Sequence, residues 1–226
     1  MLNFELGENM KESKFIEIDY DNWDRKEIFE AYGDYVFFLT YEFDVTRYIE
    51  KFKGKIKFYP FMTYITSKVI NEHQEFRMAI ENGKIGYYDV LHPIYTLLRK
   101  NKLFTHKVTD YSEDFEDFYH RFLVDKKIGE ECNSLYADGY RPKNTLAIST
   151  MPHTSFAGLS FAYNPEGITE FIPFTTFGKY FERDGKWYCP VSIEFYHNVN
   201  DGYHAEVFVN AMQHLIDTID IELGRF

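Results

Sequence analysis

Hydrophobic and polar positions follow two different periods along this chain, which predicts a mixture of strands and helices. Alternation at every second residue predicts strands at Phe15–Tyr20 and Tyr35–Val45. Asn82-Gly83 and Arg183–Lys186 have the composition of tight hairpin turns. Runs of apolar residues bounded by turn residues predict further strands at Phe76–Ala79, Ile85–Asp89, Tyr95–Leu98, Phe104–Val108, Leu146–Thr150, Phe156–Ala162, Glu170–Lys179 and Trp187–Tyr196.

Apolar residues spaced three and four positions apart predict the helices. Asp21 or Asn22 is expected to cap a helix that begins near Trp23. Ser112 is expected to cap a helix that runs to Val124. Two further helices are predicted at Thr46–Phe52 and Phe61–Asn71. The apolar face of the last helix comprises Ala205, Phe208, Val209, Met212, Leu215, Ile216 and Ile219.

The strand and helix signals interleave without a repeat or a linker, which predicts one domain over residues 13–226. A polar arm, residues 1–12, is expected to precede it. The predicted fold class is α/β, of the mixed α+β type. We expect a two-layer sandwich in which a mixed β-sheet is covered by helices.

Composition and net charge limit the classes of function that this chain could have. Apolar residues make up 45% and charged residues 27%, which is typical of a globular protein, and the 19% aromatic share favours an aromatic core. The net charge of −11 argues against nucleic acid or an anionic membrane as the main partner, although a local basic patch for a phosphorylated ligand fits within it. Cys132 and Cys189 have no metal-like spacing, so neither a zinc site nor a disulfide scaffold is expected. Without a signal-like or membrane-length apolar run, we expect a cytoplasmic protein.

The segment Glu194–His204 contains the strongest candidate chemistry. His197 is expected at the end of a strand, just before the last helix. An imidazole titrates near neutral pH, so His197 is the best candidate for a general base. Asp201-Gly202 follows four residues later. Spacing alone leaves two readings open: Asp201 pairs with a cation and supports the site, or Asp-Gly is only a turn.

From about Phe15 to Leu215 the chain resembles chloramphenicol acetyltransferase of the trimeric, coenzyme A-dependent kind. The blocks that carry the resemblance are Asn22–Phe29, Phe58–Met62, Glu75–Ile80, Ser149–Pro152, Ile172–Tyr180 and His197–His204. It implies the CoA-dependent acyltransferase fold and a homotrimer with sites between subunits. It also implies acetyl-CoA as cosubstrate, chloramphenicol as the alcohol acceptor, no metal and a role in antibiotic resistance.

The resemblance assigns roles to five residues. His197 would take the acceptor's hydroxyl proton in a direct transfer without an acyl-enzyme. Asp201 would pair with Arg25 as a structural support, and Thr176 would hold a water near the intermediate. Counted from Pro152, Gly158 occupies the position at which many family members have a serine that helps to stabilise the oxyanion.

Further residues are assigned to the two substrates. Lys179 would contact a phosphate of coenzyme A and Tyr180 would stack on its adenine. The residues assigned to the acceptor pocket are Ala31, Tyr32, Phe104 and Tyr196.

Departures from the family pattern leave alternatives for the acceptor and for activity. Tyr196 replaces the usual first histidine of the motif, Ala31 a phenylalanine and His153 a tryptophan, and the loop after Tyr32 is shorter. One alternative is the same reaction on a different hydroxyl compound. Another is a catalytically weak homologue that acts as a binding protein, a reading that Tyr196 and Gly158 favour. The catalytic core of 2-oxo acid dehydrogenase complexes has a similar motif, but no lipoyl domain or linker is expected here.

Overall fold

The computed structural model of the chain describes residues 13–162 and 167–221. The predicted arm at residues 1–12 lies outside them. The strands are β1 (Phe15–Glu17), β2 (Val36–Asp44), β3 (Met78–Glu81), β4 (Lys84–Tyr88), β5 (His92–Leu98), β6 (Phe104–Val108), β7 (Thr145–Thr150), β8 (Phe174–Phe177), β9 (Phe181–Arg183) and β10 (Lys186–Tyr196). The α-helices are α1 (Lys26–Tyr32), α2 (Thr46–Lys51), α3 (Phe58–Glu72), α4 (Phe115–Glu131) and α5 (Gly202–Thr218).

The main sheet has the strand order β2-β10-β8-β7-β5-β6, and β9 also pairs with β10. Strand β7 pairs in parallel with both β5 and β8, whereas the other pairs are antiparallel. A second sheet has the order β1-β4-β3. The mixed sheet and its covering helices confirm the predicted fold class. None of the helices in the described ranges is long and apolar enough to cross a membrane.

The main sheet has one face covered by helices and one face covered by a loop, and the side chains of β10 point alternately to each. Phe195 contacts Phe208 of α5, with ring centroids 5.5 Å apart. Because side chains alternate along a strand, the other residues of this face also point toward the helices. They are Cys189, Val191 and Ile193, all fully buried. On the opposite face, Ser192 Oγ donates to the carbonyl oxygen of Leu159, 2.6 Å away. That face therefore contacts the irregular segment around Leu159, and Phe161 of the same segment meets Phe174 of β8 at 5.3 Å.

The loop-covered face carries a row of hydroxyl side chains that crosses five strands. Ser192 of β10 lies opposite Thr40 of β2 on one side and Thr176 of β8 on the other. Thr176 in turn lies opposite Ser149 of β7, and Thr96 Oγ1 of β5 is 3.3 Å from Ser149 Oγ. We refer to these five residues as the hydroxyl row. It places several possible hydrogen-bond donors side by side.

A smaller hydrophobic cluster lies apart from the main core. Its buried members are Met78, Ile85, Phe171 and Val199. Trp23, Phe29 and Tyr196 are among the partly buried residues that pack against it. The cluster therefore joins the N-terminal helix region to the segment that follows β10.

The predicted strand at Phe156–Ala162 is wrong, because this segment is irregular. Its apolar residues contact the sheet side by side with β8 instead of pairing as a strand: Phe161, for example, meets Phe174 at 5.3 Å. A Cβ placed on Gly178 would lie 2.9 Å from Phe156 Cε1 and 2.7 Å from Pro190 Cγ. The Phe156 ring therefore occupies a space that only a glycine leaves free. The predicted strand at Glu170–Lys179 is shorter in the structure, at Phe174–Phe177.

Two predicted helix starts are also wrong. Residues 20–22 form a 3₁₀ turn, and α1 begins only at Lys26, so neither Asp21 nor Asn22 caps it. Helix α4 begins at Phe115, where the Asp114 side chain accepts from the backbone N–H of Asp117. Ser112 Oγ instead accepts from the backbone N–H of Asp114 at 3.3 Å. In this sequence an equally good cap, Asp114, follows the serine by two residues, and the helix begins after it.

Candidate active site

His197 follows β10 directly, and the structure fixes its ring from two sides. The backbone N–H of His197 donates to the carbonyl oxygen of Tyr35, 2.7 Å away. Its ring stacks on Tyr32, with centroids 4.2 Å apart and planes 4° from parallel. Phe37 meets the same ring edge-on at 5.5 Å. We refer to residues 197–201 as the histidine turn.

Arg25 holds the histidine turn through three groups at once. Its Nη1 lies 2.9 Å from Asp201 Oδ2, so the ion pair expected between these residues is present. Its Nε donates to the carbonyl oxygen of Asn198 at 3.1 Å, and its Nη2 to that of His197 at 3.4 Å. Because one planar guanidinium engages both the side chain and the backbone of the turn, it fixes the turn's shape.

Asp201 also caps helix α5. Its Oδ1 accepts from the backbone N–H of Tyr203 at 3.0 Å and lies 2.9 Å from His204 Nδ1. His204 Nδ1 is also 3.3 Å from the Asp201 backbone nitrogen. One nitrogen cannot both accept and donate here, and the shorter contact with a carboxylate favours a protonated Nδ1 that donates to Oδ1.

The carboxylate of Asp201 is held in its charged form. Partial burial alone would raise its pKa, but hydrogen bonds from Arg25 and His204 outweigh burial and lower the pKa to about 2. The carboxylate oxygens bind Arg25 and His204 and not the His197 ring. This arrangement suits a structural support for the turn and not a relay of the His197 proton.

The two ring nitrogens of His197 differ in their surroundings. Nδ1 is buried and has no hydrogen-bond partner among the described residues. The ring as a whole is only partly buried. Nε2 is therefore the nitrogen that can meet a substrate.

Thr176 and Gly158 were both predicted near the reacting oxygen, and the structure gives them different surroundings. Thr176 is 1% exposed, and its Oγ1 has no hydrogen-bond partner within the described part of the chain. Gly158 is exposed in the irregular segment, and a Cβ there would meet nothing within 4 Å. Ser149 lies directly opposite Thr176 and carries a hydroxyl group, but the sequence did not single it out as a site residue. Its place near the end of a predicted strand, in a block already matched to the family, was the available signal.

Within one chain, the predicted site residues form two groups that lie far apart. His197 belongs to one group, and Thr176 and Phe104 lie away from it. Thr176 lies opposite Ser192, five residues before His197, which corresponds to about 16 Å along β10. Phe104 is on β6, four strands away from β10, or about 19 Å across the sheet. Phe104 also begins its strand at the end of the sheet away from His197.

The acceptor-pocket residues are similarly divided. Tyr32 stacks on the His197 ring, and Ala31 is exposed beside it on α1. Phe104 is 52% exposed and meets His106 edge-on at 5.4 Å. Tyr196 packs against Phe171 at 5.9 Å, in the smaller hydrophobic cluster. The Tyr196 ring therefore belongs to the smaller hydrophobic cluster, whereas the His197 ring stacks on Tyr32.

Tyr180 and Lys179 lie at the far end of β8, beside a basic segment. Tyr180 contacts Trp187, with centroids 5.7 Å apart, and Lys53 Nζ lies 5.6 Å from the Tyr180 ring and 5.0 Å from that of Trp187. Lys179 is exposed. Lys53 was missed from the sequence, although lysines alternate there at Lys51, Lys53, Lys55 and Lys57. These four lysines form what we call the basic segment.

A cleft of about 450 Å³ lies next to the support of the histidine turn. Arg25, Val199 and His204 line one part of it, and Trp23 and Glu75 line another. His197 is not among the lining residues. Across the described ranges, no group of three or more His, Cys, Asp or Glu side chains could hold a metal ion.

Comparison with known proteins places this arrangement in context. The chloramphenicol acetyltransferase family profile matches residues 13–213. A chloramphenicol acetyltransferase of Clostridium butyricum is 37% identical over 204 residues, covering 88% of this chain and 93% of that protein. One of Clostridium perfringens is 36% identical over 219 residues, covering 94% and 99%.

Solved structures agree with this at the level of the fold. A chloramphenicol acetyltransferase superposes with a TM-score of 0.77 at 24% identity, covering 90% of this chain and 100% of the other. A dihydrolipoamide acetyltransferase of Azotobacter vinelandii superposes with a TM-score of 0.63 at 14% identity, covering 85% of each chain.

Proposed function

The chain belongs to the chloramphenicol acetyltransferase family, and from this premise we propose that it transfers the acetyl group of acetyl-CoA to a hydroxyl of chloramphenicol. The observation that carries the proposal is the fixed ring of His197. Stacking on Tyr32 and the Arg25–Asp201 support hold this ring at the end of β10 with Nε2 free to meet a substrate. A base held in one orientation is what a direct proton abstraction requires.

The reaction proceeds by direct transfer. Nε2 of His197 removes the proton of the acceptor hydroxyl while the hydroxyl oxygen bonds to the thioester carbonyl carbon. The carbonyl oxygen takes the negative charge in a tetrahedral intermediate. Its collapse breaks the carbon–sulfur bond, the ester is released, and the proton on Nε2 passes to the leaving thiolate of coenzyme A.

The hydroxyl row supplies the groups that stabilise the oxyanion. Ser149 has a donor that Gly158 lacks, and it lies opposite Thr176, whose buried Oγ1 is uncommitted within the described residues. Thr96 Oγ1, 3.3 Å from Ser149 Oγ, can orient that hydroxyl. We assign Ser149 as the oxyanion donor and Thr176 as the residue that holds a water beside it.

We propose that coenzyme A binds beside the basic segment, Lys51 to Lys57. Lys179 and Lys53 offer cations for its phosphate groups, and Tyr180 offers a ring for its adenine. Lys53 already lies over the aromatic pair Tyr180 and Trp187, so charge and stacking surface coincide. Because acetyl-CoA is made and used inside cells, the cytoplasm is the proposed location.

We propose that the active protein is a homotrimer with its sites between subunits. The separation of about 16 Å between His197 and the Thr176 position in one chain supports this. One copy would contribute His197 and the facing copy the hydroxyl row. Mixing His197→Ala protein with Ser149→Ala protein after reversible dissociation tests the arrangement. Shared sites predict more activity in the mixture than the sum of the two variants, whereas sites within one chain predict no gain.

A thiol-release assay with acetyl-CoA tests the function itself. We expect coenzyme A to be released when chloramphenicol is added, and His197→Ala to abolish release while the folded, assembled protein persists. Turnover with another alcohol but not with chloramphenicol would retain the mechanism and overturn the acceptor. Release as slow in the wild type as in His197→Ala, for every alcohol tried, would favour the binding-protein alternative.

A further inference from the structure

We propose that Asn200 is a positioning residue that attaches the histidine turn to the protein core, an inference that rests on the proposed function. Asn200 is fully buried, at 0% exposure, and is the fourth residue of the turn. Its Nδ2 donates to the carbonyl oxygen of Glu75 at 3.0 Å, a residue 125 positions earlier in the chain. The side-chain amide of Asn200 therefore connects the histidine turn to a segment that is distant in the sequence.

The segment that accepts this hydrogen bond is anchored firmly. Glu75 lies in the 3₁₀ turn Gln74–Phe76. Phe76 at the end of that turn is fully buried, and its ring lies 5.1 Å from Phe208 and 6.3 Å from Phe195. These rings belong to α5 and β10, the two elements that flank the histidine turn. The hydrogen bond from Asn200 therefore links the histidine turn to a segment whose Phe76 packs against both α5 and β10, the two elements that flank the turn.

Asn200 acts at a place that Arg25 does not reach. Arg25 binds the carbonyl oxygens of His197 and Asn198 and the carboxylate of Asp201. The backbone N–H of Asn200 donates to the carbonyl oxygen of Tyr196 at 2.7 Å, which closes the turn on itself. The Asn200 side chain is then the contact that fixes the closed turn against the Gln74–Phe76 segment. Without it, the turn is still closed and still paired with Arg25, but it can shift as a unit.

A small shift of this kind should affect catalysis more than substrate binding. Misplacement of a catalytic group by about 1 Å costs about 100-fold in rate. Asn200→Asp keeps the shape of the side chain but replaces the amide donor by a carboxylate, which repels the Glu75 carbonyl. We expect kcat to fall by about 10- to 100-fold, with the KM values for acetyl-CoA and chloramphenicol nearly unchanged.

Asn71→Asp is the matched control. The side-chain amide of Asn71 likewise donates to backbone carbonyls, those of Ser67 and Leu91, both at 2.9 Å. Asn71 lies in α3, outside the residues assigned to either substrate. The control variant should lose thermal stability while its kcat stays near that of the wild type. It separates loss of a buried amide hydrogen bond in general from loss of this one.

A pH series distinguishes positioning from a general structural role. When the carboxyl introduced by Asn200→Asp is protonated it can again donate to Glu75, so its kcat relative to the wild type should rise as pH falls. The titratable and charged groups around the turn are Arg25, His73, Glu75, His197, Asp201 and His204. Both proteins contain them, so the ratio of activities isolates position 200. Asn200→Ala has no group to protonate, and its activity ratio should be flat with pH.

The outcomes separate this inference from the function on which it rests. A wild-type protein without acetyl transfer would overturn the proposed function. An active wild type with equal kcat in Asn200→Asp and Asn71→Asp would overturn the role of Asn200 alone. A lower kcat accompanied by a flat pH ratio for Asn200→Asp would also overturn it. If Asn200→Asp does not fold, Asn200→Ala decides the matter: a wild-type kcat in that variant refutes the positioning role.

Discussion

Asp201→Asn tests the support of the histidine turn most directly, because it removes the ion pair and keeps the helix cap. Asparagine is as good an N-cap as aspartate, so its side-chain oxygen can still accept from the first backbone N–H groups of α5. Its other terminal group becomes an NH₂ that faces Nη1 of Arg25, where the carboxylate oxygen now lies at 2.9 Å. The substitution therefore sets a donor against a donor at one point.

The size of the effect follows from the pKa of Asp201, which is lowered from 3.8 to about 2. A shift of about two units corresponds to about 2.5 kcal/mol of unfolding free energy. The carboxylate side chain is 34% exposed, and solvent screening weakens its contacts. We expect a loss of about 1 to 1.5 kcal/mol at pH 7, or a fall of about 0.5 M in the urea midpoint.

The pH dependence gives the sharper test. Because the folded pKa is lowered, the native protein binds fewer protons than the unfolded chain between about pH 4 and pH 2. The extra stability is therefore complete above pH 4 to 5 and is lost as the pH falls toward 2. Urea unfolding at pH 3.5, 5 and 7, at one protein concentration, should show a wild-type advantage that shrinks at pH 3.5. An advantage that is absent at pH 7, or unchanged at pH 3.5, would refute the proposed energetic role of the pair.

Three further substitutions probe other parts of the molecule. Ser149→Ala should lower kcat by about 100- to 1,000-fold if its hydroxyl binds the oxyanion, and steady-state kinetics with a normal KM for acetyl-CoA would support this; a normal kcat would exclude Ser149. Lys53→Ala should raise the KM for acetyl-CoA and leave the KM for chloramphenicol unchanged. The increase should be larger at low salt, because the lysine is exposed and salt screens its charge. Equal changes in the two KM values would count against a contact between Lys53 and the nucleotide. Gly178→Ala should destabilise the protein by about 1 to 3 kcal/mol in urea unfolding, because its Cβ would lie 2.7 Å from Pro190 Cγ; unaltered stability would show that Phe156 and Pro190 move aside at little cost.

Local signals predicted much of the fold. Asn82 and Gly83 both have positive φ, at 52° and 77°, which is the geometry that an Asn-Gly hairpin turn requires. Helix α5 buries Ala205, Phe208, Val209, Met212 and Ile216 on the expected face. The segment Phe156–Ala162 shows the limit of such signals. Its run of apolar residues is typical of a strand, but the segment is irregular and Phe161 packs on Phe174 of β8.

The candidate site was predictable in its identity and less so in its geometry. The motif indicated His197, and the resemblance indicated the distant partner Arg25, because both depend on residue type and order. We assigned the oxyanion donor from the residue that lies opposite Thr176 in the sheet. A single sequence does not determine the register between two strands, so this residue could not be predicted. The separation of His197 from Thr176 and Phe104 likewise follows from the order of strands in the sheet. Only the folded chain shows that the site residues form two groups.

The cleft beside Arg25, Val199 and His204 has a consequence for how this protein could be inhibited. A compound bound there would contact Arg25, Val199 and His204, which hold or adjoin the histidine turn, and His197 does not line the cleft. Neither acetyl-CoA nor the acceptor would displace it, so raising their concentrations would not restore the rate. Inhibition from this side would appear as a lower kcat at constant KM. The residues that support the base thus line a cleft that the base itself does not.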